Sequence, residues 1–273
     1  MNQPSRQSLS AMALPAHAAP AAVAPPDRAA SIGQGPLLRE LWQSLQKLQT
    51  ISVGGLSERA EELRRICRRT CELHGIGVEL VGQLPQGPAV FVSNHLGYID
   101  PVVLCSLVAC SPIAKSEIRA WPLVGEPLSR LNVCFVRRGS ALSGARVLRQ
   151  CLRTLEAGVS VLNFPEGTTS RGGLLPFQLG AFWLARRSGL PLVPVGMEFE
   201  TPDMCWVDDE GFLPHYGRVL WGRWQGTRRN VRVSVGPALD AGRFQSVMDA
   251  SWAARSAISA LRLPFGTSLP ESA

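Results

Sequence analysis

From Gly77 onward the chain repeats one pattern: a short apolar run, a polar break, then a stretch with apolar residues at three- and four-residue spacing. The strand-like runs are Val78–Val81, Pro88–Val92, Ile113–Lys115, Val133–Val136, Val159–Phe164, Leu192–Met197 and Val231–Val235. Helical spacing falls at 101–110, 119–130, 141–157, 178–188 and 244–262. Strands separated by helices cannot pair as tight hairpins, because each crossover returns the next strand in the same direction. The pattern therefore predicts an α/β fold with a mostly parallel central sheet covered by helices. Ligands of such sheets bind beyond the carboxyl ends of the strands.

Residues 1–35 are rich in alanine, proline and serine and predict a disordered tail, since they cannot bury enough surface to order themselves. Leu9 to Ala24 has some features of a signal sequence, but Pro15, His17 and Pro20 interrupt its apolar stretch. No uninterrupted apolar run reaches about 18 residues, so membrane contact is expected to be peripheral. From Pro36 the spacing of Leu37, Leu38, Leu41, Trp42, Leu45 and Leu48 predicts a helix. A second helix, with Ser57 as N-cap, runs to His74 and carries the stripe Ala60, Leu63, Ile66, Cys67 and Cys71, with Arg64, Arg65, Arg68 and Arg69 on the remaining surface. This N-terminal two-helix unit can lie on an anionic bilayer or pack on its own domain. The chain thus divides into a tail (1–35), an amphipathic helix pair (36–75), a main domain (76–242) and a C-terminal helix and tail (243–273).

A net charge of +7 suits an anionic partner: nucleic acid, an anionic membrane or a phosphorylated substrate. The arginines are not interleaved with a readable nucleic-acid motif, so nucleic acid is not expected. The seven cysteines are odd in number and lack C-x-x-C spacing, which points to a reducing compartment and away from zinc or a disulfide frame. One histidine with two carboxylates falls short of a metal ligand set, so no metal is expected.

The chemistry gathers at Ser93-Asn94-His95-Leu96-Gly97-Tyr98-Ile99-Asp100-Pro101, where a strand becomes a helix. Asp100 is expected to be the N-cap, accepting from free helix amides with one oxygen and from the His95 ring N–H with the other. Gly97 is expected to let the chain turn between them. A histidine so oriented takes a proton from a hydroxyl. With G-x-S-x-G absent, that hydroxyl is read as the substrate's.

Three further features are predicted for the same sheet edge. Glu166, Gly167, Thr168, Thr169 and Ser170 follow the strand ending at Phe164 and could grip a polar head group, with Arg171-Gly172-Gly173 beyond them. Arg137 and Arg138 follow Val136, and guanidiniums suit phosphate or carboxylate. Pro194 interrupts a central-looking strand, which marks an edge or a bulge that redirects backbone groups.

Over about residues 78–240 the sequence resembles the glycerolipid acyltransferases typified by bacterial 1-acyl-glycerol-3-phosphate acyltransferase. The first motif, N-H-x-x-x-x-D, matches Asn94 to Asp100, and Phe135-Val136-Arg137-Arg138 meets the second. Phe164 to Ser170 matches F-P-E-G-T-x-S, and Val193 to Val195 matches the V-P-V strand. The resemblance implies an O-acyltransferase that moves a fatty acyl group from acyl-CoA or acyl carrier protein, as co-substrate and with no bound cofactor, to a lysolipid hydroxyl. It implies His95 and Asp100 as the catalytic pair and Arg138, Glu166 and Gly167 as the head-group site. Thr168, Ser170 and Lys115 join these as substrate-binding candidates, and Pro194 marks the strand from which an oxyanion could be stabilised. Two positions depart from the family: Arg137 stands where an aspartate is frequent, and Thr169 where an arginine is usual. With Lys115-Ser116-Glu117 and Leu174-Leu175-Pro176-Phe177, the pattern is similar to the branch acylating lyso-ornithine lipid, lysophosphatidic acid being the other acceptor. The implied location is the cytoplasmic face of the inner membrane. A non-catalytic peripheral lipid-binding protein is the alternative reading.

Glu198 to Asn230 is longer than an ordinary connection and holds Trp206, Trp221 and Trp224 with Arg218, Arg223, Arg228 and Arg229. Two readings stand: a membrane-docking or acceptor-selecting loop, and a hairpin closing over the sheet.

Overall fold

The computed structural model describes residues 34–52, 54–121, 123–170, 173–205, 212–227, 229–262 and 265. The tail up to residue 33, Arg171, Gly172, Trp206, Arg228 and residues 266–273 lie outside the described residues. Two helices lead, α1 (Gln34–Gln49) and α2 (Leu56–His74). There follow β1 (Ile76–Val81), β2 (Val90–Ser93), α3 (Asp100–Leu107), β3 (Cys110–Lys115), α4 (Gly125–Arg130), β4 (Cys134–Val136) and α5 (Ala141–Glu156). The chain continues through β5 (Ser160–Asn163), α6 (Gly180–Ser188), β6 (Leu192–Phe199), α7 (Phe212–Trp224), β7 (Arg229–Val235) and α8 (Val247–Leu261).

The seven strands form one sheet in the order β1-β7-β6-β2-β5-β3-β4. Strands β6, β2, β5, β3 and β4 run parallel, while β7 pairs antiparallel with β6 and β1 parallel with β7. The expected mostly parallel α/β sheet is therefore present, with a reversed pair at one edge. From β2 the chain passes outward to β3 over α3, then returns to β5 and β6 over α5 and α6 on the opposite face, as crossovers of one hand require. Alternate residues feed two cores. Val90, Val92, Val161 and Leu192 pack with α5, α6 and α8, whereas Phe91, Leu162, Val193 and Val195 pack with α2 and α3. Each such fully buried aliphatic or aromatic side chain stabilises the fold by about 1.5–3 kcal/mol.

The stripe Ala60, Leu63, Cys67 and Cys71 of α2 is buried, so this helix packs on its own domain. Arg64 and Arg65 pair with Glu61 and Glu62, and Arg69 pairs with Glu40 and Glu72. The α2 helix begins at Leu56 after Gly55, and no side chain caps it, so Ser57 is not its N-cap. It ends at Gly75, whose φ of 65° provides the left-handed stop. In α1, by contrast, Leu38 and Trp42 stay 55% and 58% exposed.

Several boundaries differ from the sequence reading. The segment 119–130 is not one helix: a 3₁₀ turn spans Ser116–Ala120, and α4 starts only at Gly125. Trp121 precedes a proline and is extended, as that position favours. Strand β3 begins at Cys110, and Pro112 marks the point where it changes partner, from β5 up to Pro112 to β4 from Ile113 onward. The 198–230 segment is neither hairpin nor open loop, because its centre is α7. Two of its arginines turn inward: buried Arg223 donates from Nε to the Leu73 carbonyl at 3.3 Å, and buried Arg229 donates to the Val219 carbonyl at 2.9 Å.

Candidate active site

Because β2, β5, β3 and β4 are parallel neighbours, the residues following them line one edge in that order. His95 follows β2 and Glu166 follows β5, and the two loops are bonded directly. His95 N donates to Glu166 Oε1 at 2.9 Å, and Ser170 N donates to the His95 carbonyl at 2.9 Å. The same buried carboxylate accepts, on Oε2, from Ser170 Oγ at 3.0 Å and from Leu175 N at 2.9 Å. Gly167, with φ of 72°, makes the turn that brings Ser170 back toward the carboxylate.

The His95 ring is fixed from two sides. Its Nδ1 lies 2.7 Å from Asp100 Oδ2, and its face stacks on Phe164 at 4.4 Å between centroids and 24° between planes. Asp100 is fully buried, and its Oδ2 also accepts from the amides of Leu96 and Gly97 at 2.5 and 2.9 Å. A carboxylate accepting these bonds assigns the proton to Nδ1 and leaves Nε2 as an acceptor. Nε2 has no hydrogen-bond partner among the described residues, and the side chain is 19% exposed.

Two details of the expected geometry are corrected. Asp100 is the first residue of α3 rather than its N-cap, which is Ile99, and one oxygen rather than two serves both ring and amides. The chain does turn at Gly97, where Asp100 N donates to the Gly97 carbonyl at 3.2 Å, without a positive φ. The two amides converging on Oδ2 hold that turn closed.

Asn94, next to His95, forms a two-way bridge to β6. Its Nδ2 donates to the Met197 carbonyl at 3.0 Å and its Oδ1 accepts from Met197 N at 2.7 Å. The amides of His95, Leu96, Gly97 and Met197 are thus all engaged within the protein, so an oxyanion must be met by other donors. Pro194 sits inside the sheet opposite Val92, not at its rim. Four residues of β6, Leu192 to Val195, face five of the partner, Val235 to Leu239, and the extra residue bulges the partner chain opposite Pro194.

The cationic candidates are further along the edge. Lys115 ends β3 and pairs with Val136, and exposed Arg138 follows β4. With strands about 4.8 Å apart, Arg138 is displaced from His95 by roughly 14 Å along the sheet. Glu117 lies among them. A backbone hydrogen bond first, then Ser116, Lys115 and Arg138, hold its carboxyl below the usual range. Thr168 is half-buried, whereas Thr169 is buried with Oγ1 unbonded among the described residues. The structure therefore joins His95, Asp100, Glu166 and Ser170 into one unit and sets Lys115 and Arg138 apart from it.

Behind the loop, Tyr98 packs edge-on to Tyr216 of α7 at 6.1 Å. Tyr216 Oη is 3.1 Å from Nε2 of His74, whose Nδ1 lies 2.8 Å from the Thr70 carbonyl. His74 is buried, and desolvation chiefly lowers its pKa, opposed by the Thr70 bond and reinforced by Arg229 and Arg223. Phe164, Asn94 and this buttress had no assigned role in the sequence reading. The first two carried a signal nonetheless, since they flank the catalytic candidates within matched motifs. Among the described residues no cluster of His, Cys, Asp or Glu is arranged for a metal ion, and no helix is long and apolar enough to cross a membrane.

Residues 75–198 match the family model described as Acyltransferase. The chain is 32% identical over 210 residues to lyso-ornithine lipid O-acyltransferase of Pseudomonas aeruginosa, covering 74% of this chain and 78% of that protein. It is 36% identical over 130 residues to a chloroplastic 1-acyl-sn-glycerol-3-phosphate acyltransferase of Brassica napus, covering 47% of this chain and 38% of that protein. The crystal structure of the 1-acyl-sn-glycerophosphate acyltransferase PlsC from Thermotoga maritima shares the fold, with a TM-score of 0.56 at 22% identity over 81% of this chain and 86% of that one.

Proposed function

The chain belongs to the acyltransferase family, and from that premise we propose that His95 is the general base of acyl transfer from a fatty acyl thioester to the hydroxyl of a lysolipid. The observation that carries this reading is the pair itself: Nδ1 held by Asp100 at 2.7 Å and Nε2 unbonded at the carboxyl edge of the sheet. Nε2 takes the acceptor's hydroxyl proton as its oxygen attacks the thioester carbonyl carbon. Asp100 stabilises the imidazolium that forms. When the tetrahedral intermediate collapses, the carbon–sulfur bond breaks and the thiolate recovers the proton from Nε2, so no acyl-enzyme is needed. The donor is acyl-CoA or acyl carrier protein.

For the acceptor, lyso-ornithine lipid is favoured over lysophosphatidic acid. The Pseudomonas relative matches over more of its length than the Brassica relative. Lys115, Glu117 and Arg138 also place charges of both signs at one end of the edge, which suits a zwitterionic head group. The enzyme would work as a peripheral protein on the cytoplasmic face of the inner membrane. Exposed Trp42 on α1 and Trp221 on α7, two helices that both pack on α2, support that contact.

The test is to supply purified protein with labelled acyl-CoA or acyl carrier protein and a panel of lysolipids. Acylated product from wild type, with a loss on the order of a hundred- to ten-thousand-fold in His95→Ala, is expected. Undiminished turnover in that variant would refute the mechanism.

A further inference from the structure

We infer that Glu166 is a positioning residue for the base rather than a ligand of the acceptor head group. The inference rests on the acyl-transfer reading above. Its basis is that the carboxylate has little left to offer a ligand. It is 6% exposed, and its two oxygens already accept three hydrogen bonds, from His95 N, Ser170 Oγ and Leu175 N, all between 2.9 and 3.0 Å. Further acceptance is possible for a carboxylate, but a head group would have to reach past the chain that encloses it.

What Glu166 holds is the backbone of the catalytic histidine. His95 N is bound to Oε1, and His95 O receives the amide of Ser170, whose hydroxyl returns to Oε2. Both peptide groups of His95 are therefore tied to one segment of the β5 loop. Asn94 fixes the preceding residue to β6, and Asp100 fixes the ring. Removing the Glu166 contact leaves the ring's partner in place but frees its Cα from the frame. A base must be held within about 0.5 Å of its productive position, at hydrogen-bond reach of the hydroxyl, to act, so this loss falls on turnover, not on acceptor binding.

The head-group role then passes to the exposed Arg138 with the half-buried Lys115 and Thr168. Ser170, expected as a substrate ligand, becomes a tether of the carboxylate. A glutamine at 166 matches the shape and still accepts from His95 N through its carbonyl oxygen. Its NH₂ would then oppose the Leu175 N–H, donor against donor, and push the side chain from its place.

The experiment compares Glu166→Gln and Ser170→Ala with wild type at saturating donor and varied acceptor. In Glu166→Gln, kcat is expected to fall about tenfold or more while the acceptor KM stays within about twofold. In Ser170→Ala, which keeps the Oε1 bond to His95, KM is expected unchanged and kcat lowered by no more than about fivefold. The downfield proton resonance of His95 Nδ1 provides a readout independent of turnover, expected in wild type and shifted or lost in Glu166→Gln. A raised KM with kcat preserved in either variant overturns the inference, as does an unaltered Nδ1 resonance in Glu166→Gln. If Glu166→Gln does not fold, the Ser170→Ala result decides. Absence of turnover in wild type fails the acyl-transfer reading instead and leaves the resonance to judge the positioning role.

Discussion

The imidazole of His95 rests on the ring of Phe164, with centroids 4.4 Å apart and planes 24° from parallel. A stacked pair of this kind contributes about 0.5–1.5 kcal/mol beyond burial and keeps the imidazole from tilting off its carboxylate partner. Phe164→Leu is expected to cost less than about 1.5 kcal/mol of stability and to lower turnover. Phe164→Ala opens a cavity and is expected to cost about 3–5 kcal/mol. Denaturant melts and acyl-transfer rates on the same preparations separate the two effects. Equal kcat in wild type and Phe164→Leu would show that the stacking has no part in orienting the base.

Asp100→Asn removes the charge while preserving shape. A side-chain carbonyl can still accept from Leu96, Gly97 and His95 Nδ1, so the loop is expected to keep its form. The imidazolium loses its counter-charge, and kcat is expected to fall on the order of a hundred- to ten-thousand-fold. Thermal unfolding within a few degrees of wild type, together with that loss, is the expected pair of results.

Asn94→Ala leaves Met197 N and O buried and unbonded. At about 1–3 kcal/mol for each of the two unsatisfied groups, a destabilisation of roughly 2–6 kcal/mol is expected from equilibrium denaturation. Asn94→Asp restores the acceptor for Met197 N but sets a carboxylate oxygen against the Met197 carbonyl, and is expected to be no better.

His74 links stability to pH. Burial lowers its folded-state pKa, helped by Arg229 and Arg223 and opposed by the bond to Thr70. Below about pH 6.5 the unfolded chain binds a proton that the folded protein refuses, so stability is fully present above that pH and declines as pH falls toward the folded pKa. The melting temperature should therefore drop on acidification through that window. His74→Gln should flatten that part of the profile, and an unchanged slope in the variant would remove His74 as its source.

Trp42 and Trp221 are 58% and 55% exposed. If they meet lipid, Trp42→Ser with Trp221→Ser should reduce co-flotation with anionic liposomes, while activity on detergent-dispersed acceptor is retained. Unchanged flotation would assign the contact to another surface.

All seven strands were legible in the sequence: central β2, β5 and β6 stand out as apolar runs because the sheet buries both their faces, and the half-buried outer strands β1, β4 and β7 still carry enough apolar residues between polar breaks to be read. Helix α7 was not. FLPHYGRVLWGRW contains Pro214, Gly217 and Gly222, which argue against a helix by propensity. Pro214 falls in the first turn, where its missing amide costs no helical bond, and packing of Val219, Tyr216 and Arg223 against the rest of the domain decides the outcome. The pairing of His95 with Asp100 could be read from their spacing at a strand-to-helix junction. The partners of Glu166 could not, because two of them are peptide N–H groups, which every residue but proline carries.

The histidine and the cationic tips occupy separate strands of one sheet: His95 after β2, Lys115 at the end of β3 and Arg138 after β4, with β5 between. On the proposed function, with His95 as base and Arg138 meeting the head group, that spacing is a ruler laid across the molecule, set by how far an acceptor's polar end sits from its nucleophilic oxygen. On the same proposal, sequence changes at the tips of β3 and β4 are expected to recalibrate which amphiphile fits without retooling the proton-transfer machinery two and three strands away.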